Sequence, residues 1–149
     1  MKNILAIVLL FLCCNLNSAG SSIFVNNFIS LQSAINNSSR GDSIILANGV
    51  YLNNRLNISS PGIFILAETS GGVFLNDSIA ILVSSDSVTL SGFQFTSGAI
   101  NGIVLTVSGN YNQISQLNFN GYSAAKYIRL IGHHNEISYC NFQNKPVSA

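Results

Sequence analysis

The chain has 149 residues, 48% of them hydrophobic and only 7% charged, and six Lys and Arg against five Asp and Glu leave a formal charge of +1. A nucleic-acid binder needs a basic surplus to neutralise phosphates, and a disordered chain needs low hydrophobicity with high net charge, so this composition excludes both. The length suits one ordinary domain, and the 20 Asn and 22 Ser that replace the missing charge point to turn-rich β structure rather than helices.

The first segment reads as an export signal. Lys2 supplies a positive start, Ile4 to Cys14 form an eleven-residue apolar run, and Asn17-Ser18-Ala19-Gly20 offer small residues for cleavage after Ala19 or Gly20. That run is shorter than the roughly 20 apolar residues a membrane span needs. A lipoprotein signal requires a small residue before its cysteine, whereas Leu12 precedes Cys13. The expectation is a signal peptide at 1–20, a mature domain at 21–149, and a periplasmic or extracellular destination. Cys140 is then the single cysteine, which rules out an intramolecular disulfide in the mature chain. It lies two residues before Phe142 in an alternating pattern and reads as a small core residue rather than a nucleophile.

A short helix comes next, with Ser30 as its cap and Leu31, Ala34 and Ile35 on one face. Asn36-Asn37-Ser38-Ser39-Arg40-Gly41 ends it. Two irregular repeats follow: Ile45-Leu46-Ala47-Asn48-Gly49-Val50-Tyr51-Leu52 echoes Ile65-Leu66-Ala67-Glu68, then, past an inserted Thr69-Ser70-Gly71, Gly72-Val73-Phe74-Leu75. Three regular repeats run from Ile81 to Phe95, Leu105 to Phe119 and Ile128 to Phe142. Their anchors Leu90, Ile114 and Ile137 are spaced by 24 and 23 residues, and Phe95, Phe119 and Phe142 keep the same intervals, as do Ser91, Ser115 and Ser138.

Within each repeat apolar and polar residues alternate, as in Phe93-Gln94-Phe95 and Leu117-Asn118-Phe119, which is the period of a strand with one buried face. Short strands parted by Ser, Gly and Asn turns at such a period describe rungs of a solenoid. Leucine-rich repeats need regularly spaced leucines that are absent here. The fold class expected is all-β: a parallel β-helix of about five rungs, with the helix covering the open apolar end of the first. No comparable cap follows the last rung, so the domain is expected to continue beyond Ala149.

The polar residues give weak signals. His133-His134 beside Gly132, with Glu136 nearby, read as a turn rather than a metal site, because adjacent side chains on an extended segment point apart. Lys126, Arg129 and Lys145 are the only cations after Arg55 and read as solvated surface, the alternative being the edge of a groove for an anionic polymer. Tyr111, Tyr122, Tyr127 and Tyr139 fit either rung packing or sugar stacking. Gln94, Asn118 and Asn141 share one register and are expected to form a ladder of mutually satisfied amides.

The order of these pieces resembles the N-terminal part of the chondroitinase B and alginate lyase family of polysaccharide lyases. The resemblance runs from about Phe28 to Lys145 and rests on Gly41-Asp42-Ser43-Ile44-Ile45-Leu46-Ala47-Asn48-Gly49-Val50-Tyr51, Leu66-Ala67-Glu68-Thr69-Ser70-Gly71-Gly72-Val73, Leu90-Ser91-Gly92-Phe93-Gln94-Phe95 and the two rungs that follow. It implies a right-handed β-helix that cleaves uronate polysaccharide, of alginate or chondroitin and dermatan type, by β-elimination. There Ca²⁺ neutralises the uronate carboxylate, a Lys removes the neighbouring proton and an Arg assists the leaving oxygen. Family members carry that cluster on later rungs. No residue of this chain matches it, so no catalytic, cofactor-binding or metal residue is assigned and the chain alone is expected to be inactive. An anionic polysaccharide is the expected partner, with nucleic acid and a membrane span excluded. The alternative is a non-catalytic secreted β-helix module that binds glycans or acts as a surface repeat.

Overall fold

The computed structural model describes residues 20–146, so the leader read at the N-terminus lies outside them save for Gly20. A strand, β1 (Ser22–Val25), leads into one helix, α1 (Phe28–Asn37). The chain then winds through turns of three strands. The first turn is β2 (Ser43–Leu46), β3 (Gly49–Leu52) and β4 (Arg55–Ile58). The second is β5 (Phe64–Ala67), β6 (Val73–Asn76) and β7 (Ala80–Val83). The third is β8 (Thr89–Ser91), β9 (Phe93–Phe95) and the long β10 (Ala99–Val107). The fourth is β11 (Gln113–Ser115), β12 (Asn118–Asn120) and β13 (Ser123–Leu130), and β14 (Glu136–Ser138) and β15 (Asn141–Gln143) begin a fifth.

Every strand pairs in parallel with its counterpart one turn away, giving sheet A (β1-β2-β5-β8-β11-β14), sheet B (β3-β6-β9-β12-β15) and sheet C (β4-β7-β10-β13). This is the parallel β-solenoid of about five turns that the repeats predict. The anchors stack as expected: Leu90, Ile114 and Ile137 are consecutive partners in sheet A, and Phe95, Phe119 and Phe142 in sheet B. Apolar burial drives the coil, because each rung seals its inward residues against the next. Phe95 stacks on Phe119 at 4.4 Å between ring centroids, and Phe119 on Phe142 at 5.4 Å and on Tyr127 at 4.7 Å. Tyr122 is buried edge-on to Phe95, and half-buried Cys140 packs against the same core. Burial also raises the Cys140 thiol above its ordinary pKa.

Two expectations need correction. The irregular repeats align one residue away from their letter match: Ile44 pairs with Ile65, and Gly49 and Val50 pair with Val73 and Phe74. Matching Ile45 to Ile65 and Val50 to Val73 would turn outward residues into the core, since side chains alternate faces. Ile44 and Ile65 are both fully buried, and so is Val73, whereas Val50 is 61% exposed. The helix, moreover, is capped by Asn27 and not by Ser30. The Asn27 side chain accepts the Ser30 N–H at 2.8 Å, which satisfies one of the free donors of the first turn.

The helix closes the N-terminal end in two ways. Phe28, Leu31 and Ile35 cover the core, with Ala34 half-buried beside them. Gln32 meets the outer edge of β4, where its amide donates to the Asn57 carbonyl at 2.8 Å and accepts the Asn57 N–H at 2.9 Å. One side chain thus satisfies a stretch of bare strand edge, a device against edge-to-edge pairing. The corners repeat as strictly as the strands. Ser87, Tyr111 and His134 occupy one corner column in left-handed backbone, with φ of 59°, 57° and 56°.

Candidate functional site

Among the described residues the five carboxylates all lie off sheet C, while the cations divide between it and the turns, where Arg40 sits beside Asp42. Asp42, Asp77 and Asp86 lie in corner turns, Glu68 follows β5, and Glu136 sits in sheet A. Sheet C contains no carboxylate but carries Arg55 on β4 and Lys126 and Arg129 on β13. Lys126 and Arg129 are exposed, as solvated cations should be, and they share this sheet with Arg55, because residues more than 70 apart in sequence come within three strands in the coil.

Local packing sets the direction of these side chains. On β13, Tyr127 turns inward onto Phe119 and the next residue, Ile128, also packs on the core beside its buried partner Leu105, which leaves Lys126 and Arg129 exposed on the other side. On β10, the neighbours Val104 and Leu105 are both buried, so Ile103 and Thr106 take the outer positions facing Lys126 and Arg129. The strand has an irregularity between Ile100 and Ile103, a break in regular alternation that re-aims side chains. The outward column that results is Asn57, Leu82, Thr106, Arg129, one residue per strand.

A shallow groove of about 460 Å³ runs over this face, between Gln32, Arg55 and Asn57 on one side and Leu82, Ile103 and Thr106 on the other. A second depression of about 440 Å³, against Phe28, Ile29 and Asn36, shares Gln32 and Arg55 with it. The two hollows meet at the join of helix and sheet. Lys145 borders the far margin, where its ammonium donates to the Ala125 carbonyl at 3.1 Å and lies 5.7 Å from the Tyr127 ring centre.

The other predicted polar groups serve the coil. Asn118 donates its amide to Gln94 at 3.0 Å and accepts that of Asn141 at 3.2 Å, the expected ladder on the outside of sheet B. His133 and His134 sit at a bend, where His134 stacks on Tyr111 at 4.8 Å and the His133 backbone N–H donates to Asn110. The four tyrosines divide: Tyr122 and Tyr127 are core, while Tyr111 and Tyr139 are exposed by 61% and 89%.

A calcium site is implied by the resemblance alone. Among the described residues no three His, Cys, Asp or Glu side chains gather. Four of the five carboxylates are already engaged in the coil. Asp42 takes the Ser21 and Ser39 N–H groups, which hold its pKa below the usual value, and Glu68 takes that of Asn48. Asp86 accepts the Asn110 N–H, and Asp77 the Asn53 amide. These residues do not fit a calcium centre. No helix among the described residues is long and apolar enough to cross a membrane.

Comparison with known proteins agrees with this architecture. The alginate lyase AlyGC of family PL6 superposes with a TM-score of 0.75 at 21% identity, over 78% of this chain and 19% of its own. The PL6 polysaccharide lyase Pedsa3628 from Pseudopedobacter saltans gives 0.69 at 19% identity, over 85% of this chain and 38% of its own. A PL6 alginate lyase in complex with a trisaccharide gives 0.57 at 23% identity, over 69% and 23%. These likenesses concern the fold, and this chain spans well under half the length of each lyase. No curated protein matches. The family model described as Chondroitinase B matches residues 25–148, and the protein is thus a member of the chondroitinase B family.

Proposed function

We propose that this chain is the N-terminal group of rungs of an exported lyase that cleaves a uronate polysaccharide, of alginate or chondroitin and dermatan type, by β-elimination. The catalytic groups belong to rungs outside residues 20–146. The family match over residues 25–148 is the observation that carries this reading. Two features agree with it: the small share of each solved lyase that the chain spans, and the dispersal of its carboxylates. β-Elimination needs the uronate carboxylate neutralised and a base held at the adjacent carbon. Among the described residues no group of His, Cys, Asp and Glu side chains gathers that could hold the Ca²⁺ implied by the resemblance. Export follows from the leader composition at residues 1–20.

The test is to incubate the chain, and separately the complete polypeptide that carries it, with alginate and with chondroitin sulfates, each with and without Ca²⁺. Ultraviolet absorbance follows the unsaturated uronate product. Product is expected from the complete polypeptide and not from residues 21–149. Absence of product from the complete polypeptide on every uronate polymer would leave the non-catalytic glycan-binding module, which the cationic face of sheet C favours.

A further inference from the structure

We propose that the outer face of sheet C is itself an acidic-glycan site, one that holds about four consecutive uronate residues along the solenoid axis without cleaving them. The inference deepens the lyase reading and rests on it only for the choice of uronate.

Three observations converge. First, Arg55, Lys126 and Arg129 all lie on this sheet, which has no carboxylate on any of its four strands. Asp77 and Asp86 sit in the turns before and after β7, and both are held by asparagines, Asn53 and Asn110. Second, the groove that starts at Arg55 and ends at Ile103 and Thr106, the strand partners of Lys126 and Arg129, has an apolar floor. Leu82 is 41% exposed there, flanked by Ala80, Ile103 and Thr106. Pyranose rings present C–H faces that pack on such a floor, while Asn57 and Thr106 on its outward column offer amide and hydroxyl groups for ring hydroxyls.

Third, the spacing fits. Arg55 stands on the first strand of the sheet and Lys126 and Arg129 on the fourth, which is three strand steps or about 14 Å. A 1,4-linked pyranose advances about 5 Å per residue, close to one strand step, so sugars laid along the axis keep register with the rungs. The first carboxylate then meets Arg55 and one about three residues on meets Arg129 or Lys126, with the apolar floor beneath the rings between. Arginine at either end suits bidentate pairing with a carboxylate. A polymer laid across the strands instead would meet one end of this charge pattern and leave the other empty.

The experiment is titration calorimetry of the chain with saturated oligouronates of two, three, four and six residues, at low and moderate salt. Affinity is expected to rise several-fold from dimer to tetramer and then level off, and to fall with salt. The paired change R55Q/R129Q is expected to weaken the tetramer at least tenfold, with K126Q adding to the loss. Leu82→Glu, which sets a like charge in the groove, is expected to abolish binding. Circular dichroism checks that each variant keeps its sheet content. Two further changes on the outside of sheet B, at half-buried Asn118 and exposed Asn141 (Asn118→Ser and Asn141→Ser), are expected to leave affinity unchanged. Unaltered affinity in a folded R55Q/R129Q, equal binding of neutral oligosaccharides, or no binding of the hexamer at low salt would each overturn the proposal. Failure of the lyase reading shows separately, as uronate bound by this face but never cleaved by the complete polypeptide.

Discussion

The aromatic column of sheet B makes the sharpest stability prediction. Phe119 is fully buried and stacked on both sides, by Phe95 at 4.4 Å and Phe142 at 5.4 Å, with Tyr127 at 4.7 Å. Phe142, one rung on, is 50% exposed and covered from one side. Cutting Phe119 to Ala removes a buried ring and leaves a cavity between two rungs that backbone pairing holds apart, at a cost of about 3–5 kcal/mol. Loss of the stacked contacts puts the value toward the top of that range. Phe142→Ala removes half the burial and opens no closed cavity, and about 1–2 kcal/mol is expected. Urea unfolding followed by circular dichroism reads both, with an unchanged slope as the sign that the unfolded state is not the cause. Equal losses in the two variants would refute the reasoning, because they would mean that the order of rungs does not decide burial.

Gln32→Leu keeps the helix and removes both bonds to Asn57; a loss of about 1–2 kcal/mol is expected, with faster amide exchange along β4. Gln32→Glu keeps only the acceptor and should fall between. Asp42 has a depressed pKa, so its contribution is fully present above the ordinary carboxylate value of 3.8 and is lost as pH falls through the lower folded value. Asp42→Asn should flatten the acid limb of stability against pH, and an unchanged limb would count against the Ser21 and Ser39 contacts. The raised pKa of half-buried Cys140 keeps it a thiol at neutral pH. Alkylation by iodoacetamide should then run well below the rate of an unfolded control, and equal rates would contradict the burial.

The regular rungs were legible from sequence because identity and face agree there. Leu90, Ile114 and Ile137 recur at the same position and all turn inward. The earlier rungs misled for the opposite reason. Ile44-Ile45 against Ile65-Leu66 offers two apolar matches, and only burial decides which one stacks. The helix was placed correctly, but its cap was read from Ser30 when Asn27 held the better position outside the first turn. Its second task, at the β4 edge, left no trace in the pattern, since a lone Gln on a polar helix face predicts nothing. The cationic face was least legible of all. Arg55 and Arg129 share a face only across three strand steps, and the inward turn of both Tyr127 and Ile128 that puts Lys126 and Arg129 on one side is a matter of packing.

The most direct test of this account is a chemical-shift perturbation map of the ¹⁵N-labelled chain titrated with a uronate tetramer. Shifts confined to Arg55–Asn57, Ala80–Leu82, Ile103–Thr106 and Lys126–Arg129 are the predicted result. Shifts centred on the Gln94, Asn118 and Asn141 ladder, or spread evenly over all three sheets, would contradict it.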